Sequence, residues 1–226
     1  MMRIFSPNLA ILPPAQRFLW PKLHKALHLG FTLYGGTAVA LRLGHRDSID
    51  FDFFSEKPLD REAIRAALPF MTHATTLQDQ GDTWAALIPA EAAETGYARV
   101  SFFGSLTFGR VGDPDITEDG VLEVASFDDL MATKLKVVLQ RAEAKDYRDI
   151  AAMIGAGVSL SRGLSSARLL FGPNFQPSES LKALVYFHDG DLQTLSVSEK
   201  NILINAVKAV RDLPRMTLRS LRLSGR

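Results

Sequence analysis

Two aspartates, Asp50 and Asp52, stand two residues apart in the run IDFDFF and are the strongest candidates for chemistry in this 226-residue sequence. Because alternate side chains of a strand share a face, both carboxylates are expected to point the same way, about 5–7 Å apart, while Ile49, Phe51 and Phe53 point into the core. Two carboxylates at that spacing repel each other unless a cation lies between them. Mg²⁺ binds one or two carboxylates together with the phosphates of a substrate, and so fits this pair.

A second group of residues, just before the aspartates, has the composition of a phosphate site. Its members are Gly35, Gly36, Thr37, Arg46 and Ser48. The glycines let a ligand approach the backbone, and the threonine is a suitable N-cap for a predicted helix over Ala38–Leu43. A helix N-terminus attracts phosphate, and the arginine and serine follow in the loop that leads to the acidic strand. Each feature alone is typical of an ordinary turn or strand, but together they indicate a site for a metal-bound triphosphate.

Two charged residues of the second half lie among apolar ones. A helix over Phe127–Ala142 places Lys134 within its wide apolar arc, and the next helix, from Asp146 to Gly155, begins with an aspartate in its apolar stripe. A lysine that faces inward costs free energy unless an anion meets it. Several interpretations stay open at this point. The lysine snorkels towards solvent, and the aspartate is an N-cap of its helix or forms a structural ion pair with Lys134. In the functional interpretation, the lysine binds a phosphate and the aspartate lies near an acceptor hydroxyl or orients a catalytic group.

The order of the elements predicts an α+β fold. We expect an N-terminal mixed or antiparallel sheet with flanking helices over 1–125, then a helical domain over 126–226 that contributes Lys134 and Asp146 to the cleft. The predicted helices include one over Gln16–Leu29 and a last one over Ser198–Leu213. An antiparallel meander is expected between residues 70 and 110, in which short strand-like runs alternate with turns.

Composition narrows the class of protein further. Apolar residues make up 46% of the chain, which is enough for a core and excludes a disordered protein. The net charge of +1 says nothing about partners, and the absence of cysteine excludes disulfides and thiolate chemistry. Cysteine-free composition fits a reducing compartment, so a cytoplasmic location is expected. The sequence contains no run of 18 apolar residues, so no membrane span is expected.

The string GGTAVALRLGHRDSIDFDFF resembles the nucleotidyltransferase-like toxins of the AbiEii/AbiGii type, within the polymerase-β-like nucleotidyltransferase superfamily. The resemblance extends to about Ile154. It implies that the Gly-Gly turn holds the triphosphate of an NTP and that Asp50 and Asp52 bind Mg²⁺, with Mn²⁺ as the alternative ion. The run KLKVVLQRAEAKDYRDI resembles a later motif of the family. This implies a phosphate-binding role for Lys134, an active-site role for Asp146 and a structural role for Asp149.

One position departs from the superfamily pattern, which usually has a third carboxylate on a neighbouring strand. Here Ser101, in the run RVSFF, stands where that acid is expected, and a serine is neither a base nor a good Mg²⁺ ligand. Two functions therefore stay open. The first is transfer of a nucleotidyl group to an RNA (tRNA-like) or protein hydroxyl, by a toxin with an antitoxin partner. The alternative is a weak or inactive nucleotide-binding module that acts through a partner protein.

A set of arginines near the end of the sequence could form a basic surface. They recur every three or four residues, at Arg211, Arg215, Arg219, Arg222 and Arg226. On one continuous helix they would make a stripe for RNA phosphates, although Pro214 argues against such continuity. A frayed basic terminus is the commoner case.

Overall fold

A computed structural model describes residues 3–90 and 96–225. The chain forms two compact units. The first comprises Met1–Gly109, Asp113–Ala125 and Ser220–Arg226, and the second comprises Arg110–Gly112 and Ser126–Arg219. Arg110–Gly112 thus belongs to the second unit although the residues on both sides of it belong to the first, and Ser220–Arg226 belongs to the first unit again. The domain limits predicted from the sequence, 1–125 and 126–226, stay a prediction.

All strands of the described residues belong to the first unit. They are β1 (Ile4–Phe5), β2 (Thr32–Tyr34), β3 (Asp50–Phe54), β4 (Thr75–Gln80), β5 (Thr83–Pro89), β6 (Tyr97–Phe103), β7 (Asp115–Thr117) and β8 (Glu123–Val124). They form one mixed sheet in the order β1-β7-β8-β2-β3-β6-β5-β4. The predicted meander is present as the antiparallel pairs β4/β5 and β5/β6, but β6 is parallel to β3.

The α-helices before residue 109 lie in the first unit with the sheet, and those after Ser126 lie in the second unit. They are α1 (Pro14–Leu19), α2 (Gly35–Leu43), α3 (Arg61–Ala67), α4 (Phe127–Val137), α5 (Ala144–Gly155), α6 (Leu160–Phe171), α7 (Pro177–Ala183) and α8 (Val197–Ala209). Short 3-10 helices span Leu9–Ile11, Trp20–Leu27, Pro69–His73, Gly172–Asn174 and Leu192–Thr194. A mixed sheet followed by helices confirms the predicted α+β class.

Several predicted helix limits were wrong. The helix expected over Gln16–Leu29 is α1 followed by a 3-10 helix from Trp20, because Pro21 has no N–H to continue α-helical bonding. In the second unit α4 ends at Val137, and α5 begins at Ala144, whose N–H donates to Asp191 Oδ1 at 2.6 Å. The partner that fixes this second start is far away in sequence.

The two faces of β3 differ in chemistry. Phe51 and Phe53 are completely buried, and the Phe53 ring stacks on Phe102 of β6 with 5.4 Å between the centroids. Asp50 and Asp52 are half-buried on the other face. Ile49, which was expected to bury with the phenylalanines, is 56% exposed because β3 begins only at Asp50 and strand alternation does not include it.

The second unit is a helical assembly in which α4 packs against α6 and α5 against α8. Gly163 lies at the contact of α4 with α6, where an added Cβ would overlap the side chain of Met131. A glycine within a helix costs about 1 kcal/mol relative to alanine, so its presence here reflects the close approach of these two helices.

The arginine stripe proposed for the end of the sequence is not a helix. Helix α8 ends at Ala209, and residues 210–219 have no regular secondary structure. Arg226 lies outside the described residues. In the described part of the chain, none of the helices is long and apolar enough to cross a membrane.

Candidate active site

Gly35 brings the start of α2 directly against one carboxylate of the acidic strand. Its neighbour Tyr34 pairs with Asp52 across the antiparallel strands β2 and β3. Gly35 has a φ of +74°, and an added Cβ would overlap Asp52 Oδ2. A residue with a side chain would therefore face both backbone strain and a steric clash. The predicted glycine turn and the predicted metal ligand thus lie side by side.

Helix α2 begins earlier than the sequence predicts. Its N-cap is Tyr34, in an extended conformation, and no side-chain capping hydrogen bond is formed among the described residues. Gly35 and Gly36 are therefore in the first helical turn, whose N–H groups have no acceptor within the helix. Such N–H groups next to a carboxylate pair can bind the phosphates of a metal-bound nucleotide.

The hydroxyls of Thr37 and Ser48 connect helix α2 to the acidic strand. Thr37 is not the N-cap but the third residue of α2, and its hydroxyl donates to the carbonyl oxygen of Asp50. Thr37 Oγ1 also lies 2.7 Å from Ser48 Oγ, and both side chains are buried. The two hydroxyls thus tie α2 to the backbone at the beginning of the acidic strand. Arg46, in the loop between them, donates from Nη1 to the carbonyl oxygen of Asp47 at 2.9 Å.

Ser101 lies beside Asp52, on the neighbouring strand where a third carboxylate was expected. The parallel register of β3 and β6 pairs the two residues directly. Ser101 is 1% exposed, and its Oγ has no hydrogen-bond partner among the described residues. A buried hydroxyl without a partner is uncommon in proteins.

The donor set of this face suits a hard divalent cation that arrives with its nucleotide. Asp50 and Asp52 supply carboxylate oxygens, the ligands that Mg²⁺ prefers. The described ranges 3–90 and 96–225 contain no group of three or more His, Asp or Glu side chains able to hold a metal alone. The remaining ligands would therefore come from phosphate and water oxygens, as is usual for Mg²⁺ at nucleotides.

Lys134 of α4 lies in a buried charge cluster in the second unit. Its Nζ is 2.7 Å from Asp146 Oδ1 and 2.5 Å from Asp149 Oδ2. Both aspartates lie on α5 and are completely buried, whereas the lysine is nearly so. Asp146 also accepts a hydrogen bond from Arg141 Nε at 2.9 Å. The ion pair that the sequence left open is present, and it includes Asp149 as a second anion.

The charges of this cluster set the protonation of Asp146. Burial opposes ionisation, but the Lys134 ammonium and the Arg141 guanidinium outweigh it and hold the pKa of Asp146 below its ordinary value. An ammonium has three N–H groups, so the two carboxylates leave one N–H of Lys134 for a further acceptor.

Asp149 and Arg141 complete this cluster. Asp149, for which a structural role is expected, contacts Lys134 as closely as Asp146 does. Its place beside Asp146 follows from the sequence, because residues three apart on a helix lie on the same side. The contact of Arg141 with Asp146 is harder to predict, since Arg141 lies between the end of α4 and the start of α5.

A cavity of about 230 Å³ in the first unit lies on the opposite face of the sheet from the acidic pair. Its lining includes Phe18, Phe70, His73, Ile88 and Ala98, and it contains none of the predicted site residues. Ile88 and Ala98 are register partners on the buried face of β5 and β6. This cavity is therefore not the predicted nucleotide site.

Comparison with known proteins identifies the family. Residues 17–193 match the family model described as "Nucleotidyl transferase AbiEii toxin, Type IV TA system". An uncharacterized protein of Aquifex aeolicus (strain VF5) is 30% identical over 173 residues, which cover 74% of this chain and 80% of that protein.

A similar fold occurs in MenT4, a nucleotidyltransferase toxin of Mycobacterium tuberculosis H37Rv. The superposition has a TM-score of 0.53 and covers 84% of this chain and 90% of MenT4, with 15% sequence identity. The matched family segment contains both the acidic strand of the first unit and the Lys134 cluster of the second. The chain therefore belongs to the AbiEii family of nucleotidyltransferase toxins of type IV toxin–antitoxin systems.

Proposed function

We propose that this protein transfers a nucleotidyl group from an NTP, with Mg²⁺ or Mn²⁺, to a hydroxyl of an RNA or a protein. The observation that carries the proposal is the contact of Gly35 with Asp52, which places a helix N-terminus beside the carboxylate pair. Anion-binding N–H groups and metal-binding carboxylates are the two halves that a metal-bound triphosphate requires. Membership of a nucleotidyltransferase family supports the same reaction.

The reaction forms one bond and breaks one. The acceptor hydroxyl oxygen attacks the α-phosphorus, the bond from that phosphorus to the α,β-bridging oxygen breaks, and pyrophosphate leaves while the hydroxyl proton passes to solvent or a base. A bound Mg²⁺ ion would neutralise charge on the triphosphate and on the leaving pyrophosphate. Asp50 and Asp52 would hold the ion, and the N–H groups of Gly35 and Gly36 would orient the β- and γ-phosphates. Such a site acts mainly by positioning and electrostatics.

Lys134 and Asp146 keep the roles predicted for them as part of this proposal. One N–H of Lys134 is available to a phosphate after Asp146 and Asp149 have accepted the other two. The lowered pKa of Asp146 makes it a weak base, so orientation of Lys134 fits it better than proton abstraction. Arg46, Thr37 and Ser48 are further proposed phosphate ligands in the first unit.

Two statements about the setting belong to the proposal as well. A family named for a type IV toxin–antitoxin system supports a cognate antitoxin as partner. Use of nucleoside triphosphates supports action in the cytoplasm, where these substrates are made.

The test is pyrophosphate release and label transfer from each of the four radiolabelled NTPs, with Mg²⁺ and total RNA or protein as acceptor. Replacement of Asp50 or Asp52 by Asn should lower both by about 10²-fold or more, because a preorganised electrostatic contact is lost. Asp47→Asn is the matched control, since Asp47 is exposed in the loop before β3. Unchanged labelling in Asp50→Asn and Asp52→Asn would remove these residues from the reaction.

A second candidate function, a nucleotide-binding module without transfer, is favoured by Ser101. The position beside Asp52 carries an unpartnered serine hydroxyl, in the described structure, where a third carboxylate would take the acceptor proton. Such a protein would bind NTP with Mg²⁺ and act through a partner protein, without pyrophosphate release for any acceptor. Pyrophosphate release that depends on Asp50 would exclude this second function.

A further inference from the structure

Two side chains of β6 are exposed next to the acidic pair. Along this strand Ala98, Val100 and Phe102 are buried on the core face, so Tyr97 and Arg99 lie on the opposite face with Ser101. Arg99 is the register partner of Asp50. Tyr97 is 60% exposed and stands one side-chain step beyond Arg99. An aromatic ring and a guanidinium therefore stand together at the Asp50 end of the site.

A buried glutamine fixes the position of Tyr97 relative to Asp50. The Nε2 of Gln16 donates to the carbonyl oxygen of Ile49 at 3.0 Å and to that of Tyr97 at 3.1 Å. Gln16 is almost completely buried, so this bridge is part of the packed structure. It joins the residue before Asp50 to the start of β6. The ring of Tyr97 is thus presented by fixed backbone.

The two sides of β3 differ in what they offer a substrate. On one side, β2 leads into Gly35, which lies against Asp52. On the other side, β6 presents Arg99 opposite Asp50. A triphosphate held at Gly35 would leave the β6 side for the second substrate. Tyr97 and Arg99 are therefore placed to contact the acceptor.

The chemistry of these two residues favours a nucleotide as their ligand. From Arg99 onward the β6 backbone pairs with β3 on one side and β5 on the other, so it cannot add a strand of a protein partner. Recognition must use side chains. A ring for stacking beside a cation for phosphate, about 7 Å apart along the strand, is the combination that binds single-stranded nucleic acid.

We propose that Tyr97 and Arg99 form an acceptor subsite for a single-stranded nucleic-acid end, with a base on the Tyr97 ring and a phosphate on the Arg99 guanidinium. The subsite rests on the proposed function, since it presumes that Asp50 and Asp52 bind the NTP. It selects a nucleic-acid hydroxyl over a protein hydroxyl as acceptor. Arg99 and Tyr97 bind and orient the acceptor, and the transfer step itself is unchanged.

The test is binding of a fluorescent single-stranded RNA oligonucleotide to the intact protein, by anisotropy at several salt concentrations. Tyr97→Ala should weaken binding about tenfold with no change in salt dependence, because stacking is lost and no charge is removed. Arg99→Ala should make the slope of log K against log salt shallower by about 0.7, the value for one lost phosphate contact on a single strand. Tyr97→Phe and Arg99→Lys should restore the affinity and the slope, respectively.

Matched controls lie on α6 and after α7. Arg168→Ala removes an exposed arginine, and Tyr186→Ala removes an exposed tyrosine, and neither should alter oligonucleotide binding. NTP affinity should be the same in Tyr97→Ala and Arg99→Ala as in the unaltered protein. Equal loss of NTP and oligonucleotide affinity would overturn the assignment to the acceptor. So would an unaltered protein that binds no oligonucleotide, or variants whose affinity and salt slope do not change.

Failure of the acceptor subsite can be distinguished from failure of the proposed function. If pyrophosphate release proves independent of Asp50 and Asp52, the transferase proposal falls, whereas the oligonucleotide measurements still report on Tyr97 and Arg99 alone. If release depends on the aspartates but label passes only to protein, the acceptor subsite falls and the transferase stands.

Discussion

At the scale of single residues, Gly35 connects the conformation of the backbone to the position of a carboxylate. Replacement by alanine should cost about 1–2 kcal/mol for the left-handed backbone, and the new Cβ must displace the Asp52 carboxylate. A displacement of about 1 Å can lower a positioned reaction by about 10²-fold. We therefore expect Gly35→Ala to lose both stability, measured by urea denaturation, and pyrophosphate release.

The control for this substitution is Gly81→Ala. Gly81 also has a positive φ, of +54°, but in the described part of the chain an added Cβ there meets nothing within 4 Å. The backbone cost should be similar, whereas pyrophosphate release should stay at the level of the unaltered protein. If both variants lost release equally, backbone strain alone would explain the effect and the contact with Asp52 would be irrelevant.

The sequence predicts some of these residue positions and not others, for physical reasons. The common face of Asp50 and Asp52 follows from strand alternation, which is local, and the structure confirms it. The hydroxyl partners of Thr37 do not follow from any local rule. They are Ser48 and the Asp50 backbone, which reach Thr37 only after the loop folds back. Propensity favoured an N-cap, and tertiary hydrogen bonding decided otherwise.

At the scale of elements, the contact of α4 with α5 depends on the charges of Lys134, Asp146 and Asp149. Because the pKa of Asp146 is lowered in the folded protein, its ionised form adds stability above the pKa that it has when unfolded. That stability is lost as pH falls through the folded pKa. We expect the difference in unfolding free energy between the unaltered protein and Asp146→Asn to be full near neutral pH and to shrink below about pH 4.

The measurement is a series of urea denaturation curves from neutral to acidic pH, followed by circular dichroism of the helices. Asp128→Asn is the control, because Asp128 also forms an ion pair, 2.6 Å from Arg162, but both of its partners are more accessible to solvent than those of the Lys134 cluster. Exposed pairs contribute about 0–1 kcal/mol, so its effect should be small at every pH. A difference for Asp146→Asn that stayed constant down to acidic pH would contradict the ion-pair account.

The limits of elements are less predictable than their existence. The helices around Lys134 and Asp146 were expected from their apolar periodicity, and both are present. Their ends were not, because Asp191 bonds the Ala144 N–H from a distant part of the sequence. Local chemistry does set a limit at Pro21, where the first predicted helix becomes a 3-10 helix.

At the scale of the whole molecule, the shift from strands to helices along the sequence predicts the α+β class. The order of the strands in the sheet cannot be predicted from local sequence patterns. The strands β3 and β6 are parallel neighbours although β4 and β5 lie between them in sequence. No turn joins them, so no turn chemistry specifies their register. That register puts Ser101 beside Asp52 and Arg99 beside Asp50, which makes the proposed acceptor subsite a property of the fold.

The last described segment of the chain returns from the second unit to the first at Ser220. Its anchor there is Leu223, which is completely buried and donates its N–H to Glu56 Oε2 at 3.0 Å. The N–H of Gly225 donates to Glu123 Oε2 at 2.8 Å. A buried leucine flanked by two backbone hydrogen bonds to carboxylates is part of the core of the first unit.

Leu223→Ala should therefore lower the free energy of unfolding of the first unit by about 2–5 kcal/mol, the usual cost of removing a buried leucine side chain. Tryptophan fluorescence reports this unit specifically, because both tryptophans of the chain, Trp20 and Trp84, lie within it. Leu221→Ala, two residues away and 66% exposed, should change that free energy by less than about 0.5 kcal/mol. Equal denaturation midpoints for the two variants would mean that residues 220–225 add nothing to the first unit, although they lie against it.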